Sequence, residues 1–562
     1  MTDFVIHPGL LLIVGALLLP LLREAPRRFA IVALPLLVLA LVWQVPDGAV
    51  WQTRFLDYTI TPLQGSKLSR LFATIFSLMA VAGGLYALGQ KSRLEVPAAF
   101  VYAGSAISVA LAGDLITVFI FWEMMAVGST LVLWSQGSAN AYSAARRYLM
   151  IHLLGGVILF AGITGHIVQT GSVAFEPMQP DSIAHWLILI GFLINAGAPP
   201  LSAWLPDAYP QASWSGTVFL SAFTTKTAVY VLIRGFPGTE LLVWIGLFMI
   251  FYGVIYALLE NDIRRVLVYS IVSHVGFMIV GVGIGTEMAI NGAAAHAFSH
   301  ILYKGLLLMA TGSVILMTGR RNCTELGGLF RSMPMTAVFT VIGAMSLSAF
   351  PFTAGFASKA LISQAAGDSH LLYVWLLLMA AAAAAPLYAG VKLPWFIFFH
   401  RDSGLRPQEP PANMRWAMTI FAFLCLALGI WPQALYALLP YSMDYELNTA
   451  AHIVSQLQLL LFAALAFIVM RPWLKNMLAS TLDADWAWRR LLPALSQVVA
   501  VGMNRTGLVL RRASLHASDH LLQIIQRHLG EDAKLARTWS TRGMSLWVLV
   551  LLLGYLLLYY FR

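Results

Sequence analysis

Long apolar runs separated by short polar segments fill the chain from beginning to end. A run of roughly 20 apolar residues can cross the hydrocarbon core of a bilayer as a helix. Sixteen segments fit this description, and we number them spans 1 to 16; they centre near residues 15, 36, 80, 105, 125, 159, 190, 225, 248, 277, 305, 345, 385, 427, 461 and 552. The runs lack the two-residue alternation of a transmembrane β-barrel, so the pattern predicts an all-α polytopic membrane protein.

Two of these spans are interrupted by prolines next to small residues. Span 7 contains Pro199-Pro200, and span 12 contains Pro351 a few residues before Gly355. Proline removes a helix donor and clashes with the preceding turn. Broken membrane helices tend to line sites, and a pair separated by five spans, an odd number, indicates two inverted repeats. Ordinary proline kinks, which membrane helices tolerate, are the alternative interpretation of each break.

The end of the chain changes character, because charge rises sharply between Asp483 and about Gly543. Apolar residues recur there at helical spacing, as at Leu508, Leu515 and Leu522, and an apolar span closes the chain. We predict an amphipathic helix along the membrane surface or along a neighbouring subunit; a small helical hairpin on the cytoplasmic side is the alternative. The predicted regions are the N-terminal helices (1–95), a first repeat (96–235), a second repeat (236–400), C-terminal helices (401–475), the amphipathic region (476–545) and a terminal span (546–562).

The composition agrees with a membrane protein: 59% of the 562 residues are hydrophobic and 11% are charged, against about a quarter charged in soluble domains. The net charge of +10 reports topology rather than nucleic-acid binding, because the basic residues gather after odd-numbered spans. The positive-inside rule therefore predicts an external N-terminus. The main exceptions are Arg54, Lys67 and Arg234. The basic residues that set this orientation are Arg23, Arg27, Arg28, Lys91, Arg93, Arg146, Arg147, Arg264, Arg265, Arg320, Arg321, Arg331, Arg401, Arg406 and Arg415.

Cysteine usage argues against a bound cofactor or metal in this chain. Cys323 and Cys425 lie in different segments and make neither a metal motif nor a disulfide framework. The sequence also lacks an iron–sulfur cysteine cluster, a haem attachment motif and a glycine-rich nucleotide fingerprint. Any redox chemistry would therefore belong to partner subunits.

The first apolar run has no basic region before it and no cleavage site after it, so we expect the first helix to stay in the mature protein.

Ionisable residues inside the spans are few, and their burial in lipid is costly enough to indicate function. His296, His300 and Lys304 follow one another at four-residue spacing, which places them on one face of span 11. Burial moves the pKa of a lysine down and that of a carboxyl group up, so such groups can exchange protons near neutral pH. We predict a proton relay, and a lysine reaching to the membrane interface or a histidine that merely bonds a neighbouring helix is the alternative. The predicted relay residues are Glu123, Lys226, His300, Lys304 and Lys359, with His152, His274, His296, Lys392 and Asn195 as possible accessory residues.

Five ordered motifs resemble a known family over roughly residues 60–440. They are FWEMM around Glu123, WLPDAYPQAS at 204–213, ENDIRRVLVYSIVSHVGF at 260–277, HAFSHILYKGLLL at 296–308 and GFASK at 355–359. They resemble the antiporter-like subunits of respiratory complex I, membrane-bound hydrogenases and Mrp-type multisubunit Na+/H+ antiporters. Within that family the chain most resembles the Mrp D-type subunit or the middle antiporter-like subunit of complex I, because Lys226 precedes Thr-Ala-Val-Tyr in span 8.

The resemblance implies about 14 core transmembrane helices in two inverted five-helix repeats, with a C-terminal lateral helix. It implies that Glu123, Lys226, His300, Lys304 and Lys359 carry the relay, with Lys359 as the gate to the far side. It also implies other membrane subunits as partners, H+ and Na+ or another monovalent cation as transported ions, and a bacterial or archaeal inner membrane. One position departs from the family, because Asn195 stands where the family has a lysine that pairs with the glutamate of span 5.

Four functions compete at this point. We favour a proton-translocating subunit of a cation/proton antiporter. A proton-pumping subunit of a complex I-like or hydrogenase-like redox enzyme is the second, and a cation-driven coupling subunit for uptake of another substrate, such as inorganic carbon, is the third. A non-conducting antiporter fold is the fourth, and the loss of the lysine at position 195 is its only support.

Overall fold

The computed structural model describes residues 5–474, 483–530 and 539–561. Within these ranges twelve helices are long and apolar enough to cross a membrane: Glu24–Val42, Lys67–Gly89, Leu115–Trp134, Ala139–Thr170, Gly216–Gly235, Leu241–Leu259, Ile263–Ile284, Glu287–Thr318, Leu372–Phe399, Ala412–Ile430, Ala450–Met470 and Thr541–Tyr560. Four shorter apolar helices complete the set: Pro8–Leu21, Glu95–Leu111, Ile183–Ala196 and Pro334–Leu347. Each predicted span centre falls inside one of these helices, so the all-α prediction is confirmed.

Spans 6 and 11, Ala139–Thr170 and Glu287–Thr318, are the longest of the apolar helices and share one design. Each has 32 residues, begins at a hydroxyl N-cap (Ser138 or Thr286) and ends at a left-handed glycine (Gly171 or Gly319). A hydroxyl side chain satisfies a free N–H at the helix start, and glycine accepts the left-handed conformation at the end without a Cβ clash. Their first and last residues both differ by 148 positions, from 139 to 287 and from 170 to 318.

The same offset relates the helices that precede them. Span 5 begins after Asp114 and span 10 begins after Asp262, and both aspartates cap their helices with the side chain. Asp114 forms an isolated antiparallel bridge with Ala174, as Asp262 does with Asn322. The second pair again lies 148 positions after the first. Spans 5 and 6 therefore form a unit that spans 10 and 11 repeat, as the five-span separation of the two breaks predicts.

A β-hairpin that the hydropathy pattern did not predict covers one end of the first repeat. Strand β1 (Gly48–Phe55) pairs antiparallel with β2 (Tyr58–Gly65). The backbone N–H of Thr61 in β2 donates to Asp114 Oδ2 over 2.7 Å. The hairpin thus lies at the end of span 5 opposite the arginine-rich loops. We call this side of the molecule the hairpin end and the other side the basic end.

The remaining α-helices are Trp204–Ala208, Ala354–Asp368, Gln433–Tyr436 and Leu492–Leu529, and span 13 contains two π-helical stretches, Pro386–Val391 and Trp395–Phe399.

The chain divides into two units, residues 1–485 and 486–562. The second unit contains the amphipathic helix Leu492–Leu529 and the terminal span, which begins at Thr541 rather than 546. Parts of the predicted tail, 475–482 and 531–538, lie outside the described residues. Both cysteines are buried.

Candidate functional site

Both predicted breaks are present, and the helix before each break ends in the same way. In span 7 the helix ends at Ala196, and the N–H groups of Gly197 and Ala198 bond to the carbonyls of Ile194 and Leu193. In span 12 the helix ends at Leu347, and the corresponding residues are Ala349 and Phe350, which bond to Ser346 and Met345. The pivotal residue is left-handed in each case, with φ +79° at Gly197 and +56° at Ala349. This pattern is a helix C-terminal motif in which the N–H groups after the last turn bond to some of its carbonyls.

Different side chains cap these two broken ends. In span 7 the indole Nε1 of Trp204 donates to the carbonyl of Ile194 over 2.9 Å. In span 12 the ammonium of Lys359 donates to the carbonyl of Leu347, also over 2.9 Å, and it lies 5.4 Å from the ring centre of Phe277. A helix C-terminus carries partial negative charge and favours a cation, so Lys359 is held by a helix end rather than by a carboxylate.

Lys226 lies just after a third break, which the sequence analysis missed. Span 8 is two helices, Gly216–Leu220 and Thr224–Gly235. The fully buried ammonium of Lys226 donates to the carbonyl of Ser221, at the end of the first helix, over 2.8 Å, and to Thr225 Oγ1 over 3.1 Å. No proline or glycine marks this break, so the sequence carried no signal for it.

Lys304 is fully buried on span 11 and contacts span 10. Its ammonium donates to the backbone carbonyl of Leu267 over 3.3 Å and to the hydroxyl of Ser270. Within the described part of the chain, no carboxylate lies within ion-pair distance of Lys226, Lys304 or Lys359. Backbone carbonyls and hydroxyls are therefore the groups that stabilise these three cations.

The three histidines of the second repeat form one buried cluster. His274 Nδ1 lies 3.2 Å from His296 Nε2, and His296 Nδ1 lies 3.0 Å from the hydroxyl of Ser358, the residue before Lys359. The His300 ring centre lies 5.3 Å from that of His274 and 6.1 Å from that of His296. Both His300 nitrogens are buried, and no described residue bonds to them. We call His274, His296 and His300 the histidine cluster.

Two tyrosines that the sequence analysis did not single out also bond to this cluster. The Tyr303 hydroxyl lies 3.1 Å from His274 Nδ1, and the Tyr388 hydroxyl lies 3.3 Å from His274 Nε2. Both tyrosines are buried in apolar spans, where an aromatic residue is typical of core packing. The predicted accessory residues His274 and His296 are thus directly connected to each other, and Ser358 joins them to the helix of Lys359.

The first repeat has a smaller polar cluster. His152 Nδ1 donates to Asn195 Oδ1 over 2.7 Å, and its ring packs against Tyr148 and Trp204 at centroid distances of 4.0 and 4.7 Å. The Glu123 carboxyl packs against Gly156, one helical turn beyond His152, where a Cβ would overlap Oε1. Oε1 is buried, and no described residue donates to it. Asn195 therefore bonds to His152, and Glu123 has no cationic partner among the described residues.

Hydroxyl groups connect the first cluster to Lys226. The Tyr148 hydroxyl donates to Ser129 Oγ over 2.9 Å and lies 3.4 Å from Thr224 Oγ1. Thr224 precedes Thr225, which accepts from Lys226. Tyr148 also contacts the ring of His152, so a row of polar groups leads from His152 to the break in span 8.

Lys392 has a capping position. Its ammonium donates to the carbonyls of Ala257, Leu258 and Glu260 over 2.6–3.2 Å, which closes the end of span 9, Leu241–Leu259. Three backbone acceptors at a helix C-terminus stabilise a buried ammonium group.

The ion pairs that do involve buried carboxylates lie at the basic end. Arg147 makes a two-pronged contact with Asp207 of the WLPDA motif, at 2.7 and 2.8 Å, and Arg265 Nε lies 2.9 Å from Glu260. Over residues 5–474, 483–530 and 539–561, no group of three or more His, Cys, Asp or Glu side chains is arranged to hold one metal ion. The arrangement inside the spans is therefore one of ionisable side chains linked by hydroxyls and carbonyls.

Comparisons with known proteins show which membrane proteins this chain resembles. A family model described as "NADH:quinone oxidoreductase/Mrp antiporter, TM" matches residues 112–385, which include all five predicted relay residues. The A/B subunit of a probable K(+)/H(+) antiporter from Rhizobium meliloti is 30% identical over 64% of this chain, which spans only 39% of that relative. The M subunit of NADH-quinone oxidoreductase from Pseudomonas aeruginosa is 27% identical over 60% of this chain and 76% of its own length. A chain of the Mrp complex from Dietzia sp. DQ12-45-1b has the same fold, with a TM-score of 0.78 and 23% identity over 92% of this chain and 62% of its own.

Proposed function

Because this chain belongs to the NADH:quinone oxidoreductase/Mrp antiporter family, as an antiporter-like multi-pass membrane subunit, we propose that it carries protons across the membrane within a multisubunit complex. The relay residues are Glu123, Lys226, His300, Lys304 and Lys359. The partners are further membrane subunits, since the relatives are subunits of larger assemblies.

The continuity of the second repeat is the observation that carries this proposal. His274 bonds His296, His296 bonds Ser358, and Ser358 adjoins Lys359 on the same helix. His300 lies between this series and Lys304 on the same face of span 11. Histidine can take up a proton on one ring nitrogen and release another from the second, which suits it to a relay. Structural packing alone does not require three histidines and two lysines in one buried group.

The broken helices give two of the three relay lysines a defined place in this relay. Lys226 and Lys359 hold their ammonium groups against the last carbonyls of half-helices, where small movements of the break change the stabilisation of the charge. We propose that protons enter near Lys226, pass His300 and Lys304, and leave near Lys359. The basic end faces the cytoplasm, in line with the positive-inside rule, which places the N-terminus outside.

Exchange of protons against Na+ or K+ is the form of transport we favour. The Rhizobium meliloti relative is named as a subunit of a probable K(+)/H(+) antiporter. A redox-driven proton pump is the second candidate, and the similarity to the M subunit of a quinone oxidoreductase favours it. In that case the redox centres belong to other subunits.

Proton flux into vesicles tests the proposal. The intact complex would be reconstituted in proteoliposomes with a dye that reports internal pH, and Na+, K+ or a redox donor would be added in turn. The variants are Lys304→Ala and Lys359→Ala, and Lys91→Ala, an exposed lysine at the basic end, is the matched control. We expect both buried-lysine variants to lose flux and the control to keep it.

The driving force separates the two candidates. Flux after Na+ or K+ alone supports an antiporter, and flux only after the redox donor supports a pump. Unchanged flux in both Lys304→Ala and Lys359→Ala would contradict the proposed path.

A further inference from the structure

Two histidines outside the relay face each other at the hairpin end of the first repeat. His166 lies in the last turns of span 6, and His185 lies in the first turn of span 7. His166 Nδ1 and His185 Nε2 are 3.0 Å apart, and the ring centres are 5.2 Å apart. Both side chains are partly exposed. The relay described above uses neither of them.

The surroundings of His185 determine which of its nitrogens carries the proton. His185 Nδ1 lies 2.7 Å from Asp181 Oδ1 and 2.8 Å from the carbonyl of Gln179. Both neighbours are acceptors, so Nδ1 carries a hydrogen and donates. In the neutral ring Nε2 then has a lone pair, and that lone pair points toward His166.

A metal-ligating histidine usually donates its second N–H to a carboxylate, which fixes the ring and strengthens the ligand. Asp181 and His185 have this arrangement. Two imidazole nitrogens bound to one tetrahedral Zn2+ at about 2.0–2.1 Å are roughly 3.3 Å apart, close to the 3.0 Å observed here. Zn2+ accepts nitrogen ligands readily, whereas Ca2+ and Mg2+ require oxygen ligands.

We propose that His166 Nδ1 and His185 Nε2 bind one Zn2+ ion, with Asp181 orienting His185 and water completing the coordination. When the ion binds, the single proton of His166 resides on Nε2, which frees Nδ1 as a ligand. Asp181 is a positioning residue and not a ligand, because His185 Nδ1 lies between it and the metal. The ion joins the ends of spans 6 and 7, the two helices that also bear His152 and Asn195.

Zinc binding to the purified intact complex tests the proposal. Free Zn2+ would be set with a competing chelator, and bound Zn2+ would be counted for the wild type and for His166→Ala, His185→Ala and Asp181→Asn. His452→Ala is the matched control, because His452 is another partly buried histidine, stacked on Tyr445 and away from this pair. We expect one site to disappear in each histidine variant, and the control to keep it.

The Asp181→Asn variant distinguishes a positioned pair from two independent surface histidines. We expect its zinc affinity to fall by about 10–100-fold, as loss of such an outer partner typically does. Ca2+ at the same concentration should not compete. An X-ray absorption spectrum of the wild type with one Zn2+ per chain should show two imidazole ligands. An unchanged zinc count in both histidine variants, or a spectrum without imidazole, would overturn the proposal.

Discussion

Spans 6 and 11 have the same length and the same ends, yet they carry different chemistry at equivalent positions. With the offset of 148, Tyr148, His152 and Gly156 correspond to His296, His300 and Lys304. One histidine is common to both repeats. The other two positions hold a phenol and a glycine in the first repeat, but an imidazole and an ammonium in the second.

The glycine and the lysine show how each repeat accommodates a buried charge. At Gly156 the absent side chain leaves room for the carboxyl of Glu123, which has no cation beside it among the described residues. At the equivalent position Lys304 fills the space itself and bonds to span 10 without a carboxylate. At this pair of equivalent positions, the first repeat therefore holds an acid and the second a base. The path proposed above then runs through two unequal repeats rather than two copies of one.

The side chains that cap the two broken helices also differ in charge. A neutral indole caps span 7 and an ammonium caps span 12. The comparison predicts that proton transfer depends far more on Lys359, the cap of span 12, than on Trp204, the cap of span 7. Four pairs of equivalent or adjacent residues test this asymmetry.

The caps should give the largest contrast. Lys359→Gln keeps a donor for the carbonyl of Leu347 but cannot carry a proton, so we expect flux to fall by about 100-fold or more. Trp204→Phe removes the indole donor and keeps an aromatic ring, and we expect flux within about twofold of the wild type. Flux in proteoliposomes measures both. Equal losses in the two variants would remove the distinction between the caps.

His296 of span 11 and Tyr148, its equivalent in span 6, should give the next contrast. His296→Gln breaks the connection between His274 and Ser358, and we expect flux to fall by about tenfold, the equivalent of roughly 1.4 kcal/mol on the barrier. Tyr148→Phe removes one hydroxyl from the row that leads to Lys226. Its expected loss is about two- to threefold, as for a single neutral hydrogen bond. A larger loss in Tyr148→Phe than in His296→Gln would reverse the assignment of the main path.

Two adjacent glycines test whether the position of Glu123 matters. In Gly156→Ala the new methyl group overlaps Glu123 Oε1 and displaces the carboxyl, so we expect flux to fall severalfold. In Gly155→Ala the nearest atom is a methyl carbon of Ile194 at 3.2 Å, which can shift slightly. That variant is the control, and its flux should be close to that of the wild type. If both variants match the wild type, the carboxyl of Glu123 is not on the path.

The smallest contrast concerns the left-handed residues at the two breaks. At Ala349 the left-handed conformation, which glycine accepts freely, costs about 1–2 kcal/mol, while the buried methyl group contributes about 0.8 kcal/mol of stability. Ala349→Gly should therefore raise the unfolding temperature slightly. Gly197→Ala has the same conformational cost and also overlaps Leu205, so it should lower that temperature. Thermal unfolding of the purified complex measures both, and a lower temperature for Ala349→Gly would contradict the strain at that residue.

The sequence was enough to predict the helices and two of the three breaks. Apolar length identified every span, and proline marked the interruptions in spans 7 and 12. The break before Lys226 had no such mark, because the helix ends there through backbone geometry imposed by its neighbours. The β-hairpin was missed because a two-stranded element with one exposed face has no long apolar run.

Helical spacing also predicted that His296, His300 and Lys304 share one face of span 11. It could not predict their partners, because His274, Ser358 and Tyr388 come from three other spans. Lys392 illustrates the opposite limit. The sequence predicts it only as a possible accessory residue of the relay, and the three carbonyls at the end of span 9 reveal its capping contacts.

The burial of both native thiols has a practical consequence for labelling the protein. Cys425 lies inside a span, and burial raises the pKa of the loop residue Cys323 to about 11, so neither should react with a maleimide at pH 7. A single cysteine introduced at exposed Asp57 in the hairpin turn, or at exposed Arg320 at the basic end, would then be the reactive thiol. An impermeant fluorophore applied to whole cells would label whichever of the two faces outward. The same two positions could carry spin labels or dyes for distance measurements without removal of a native cysteine.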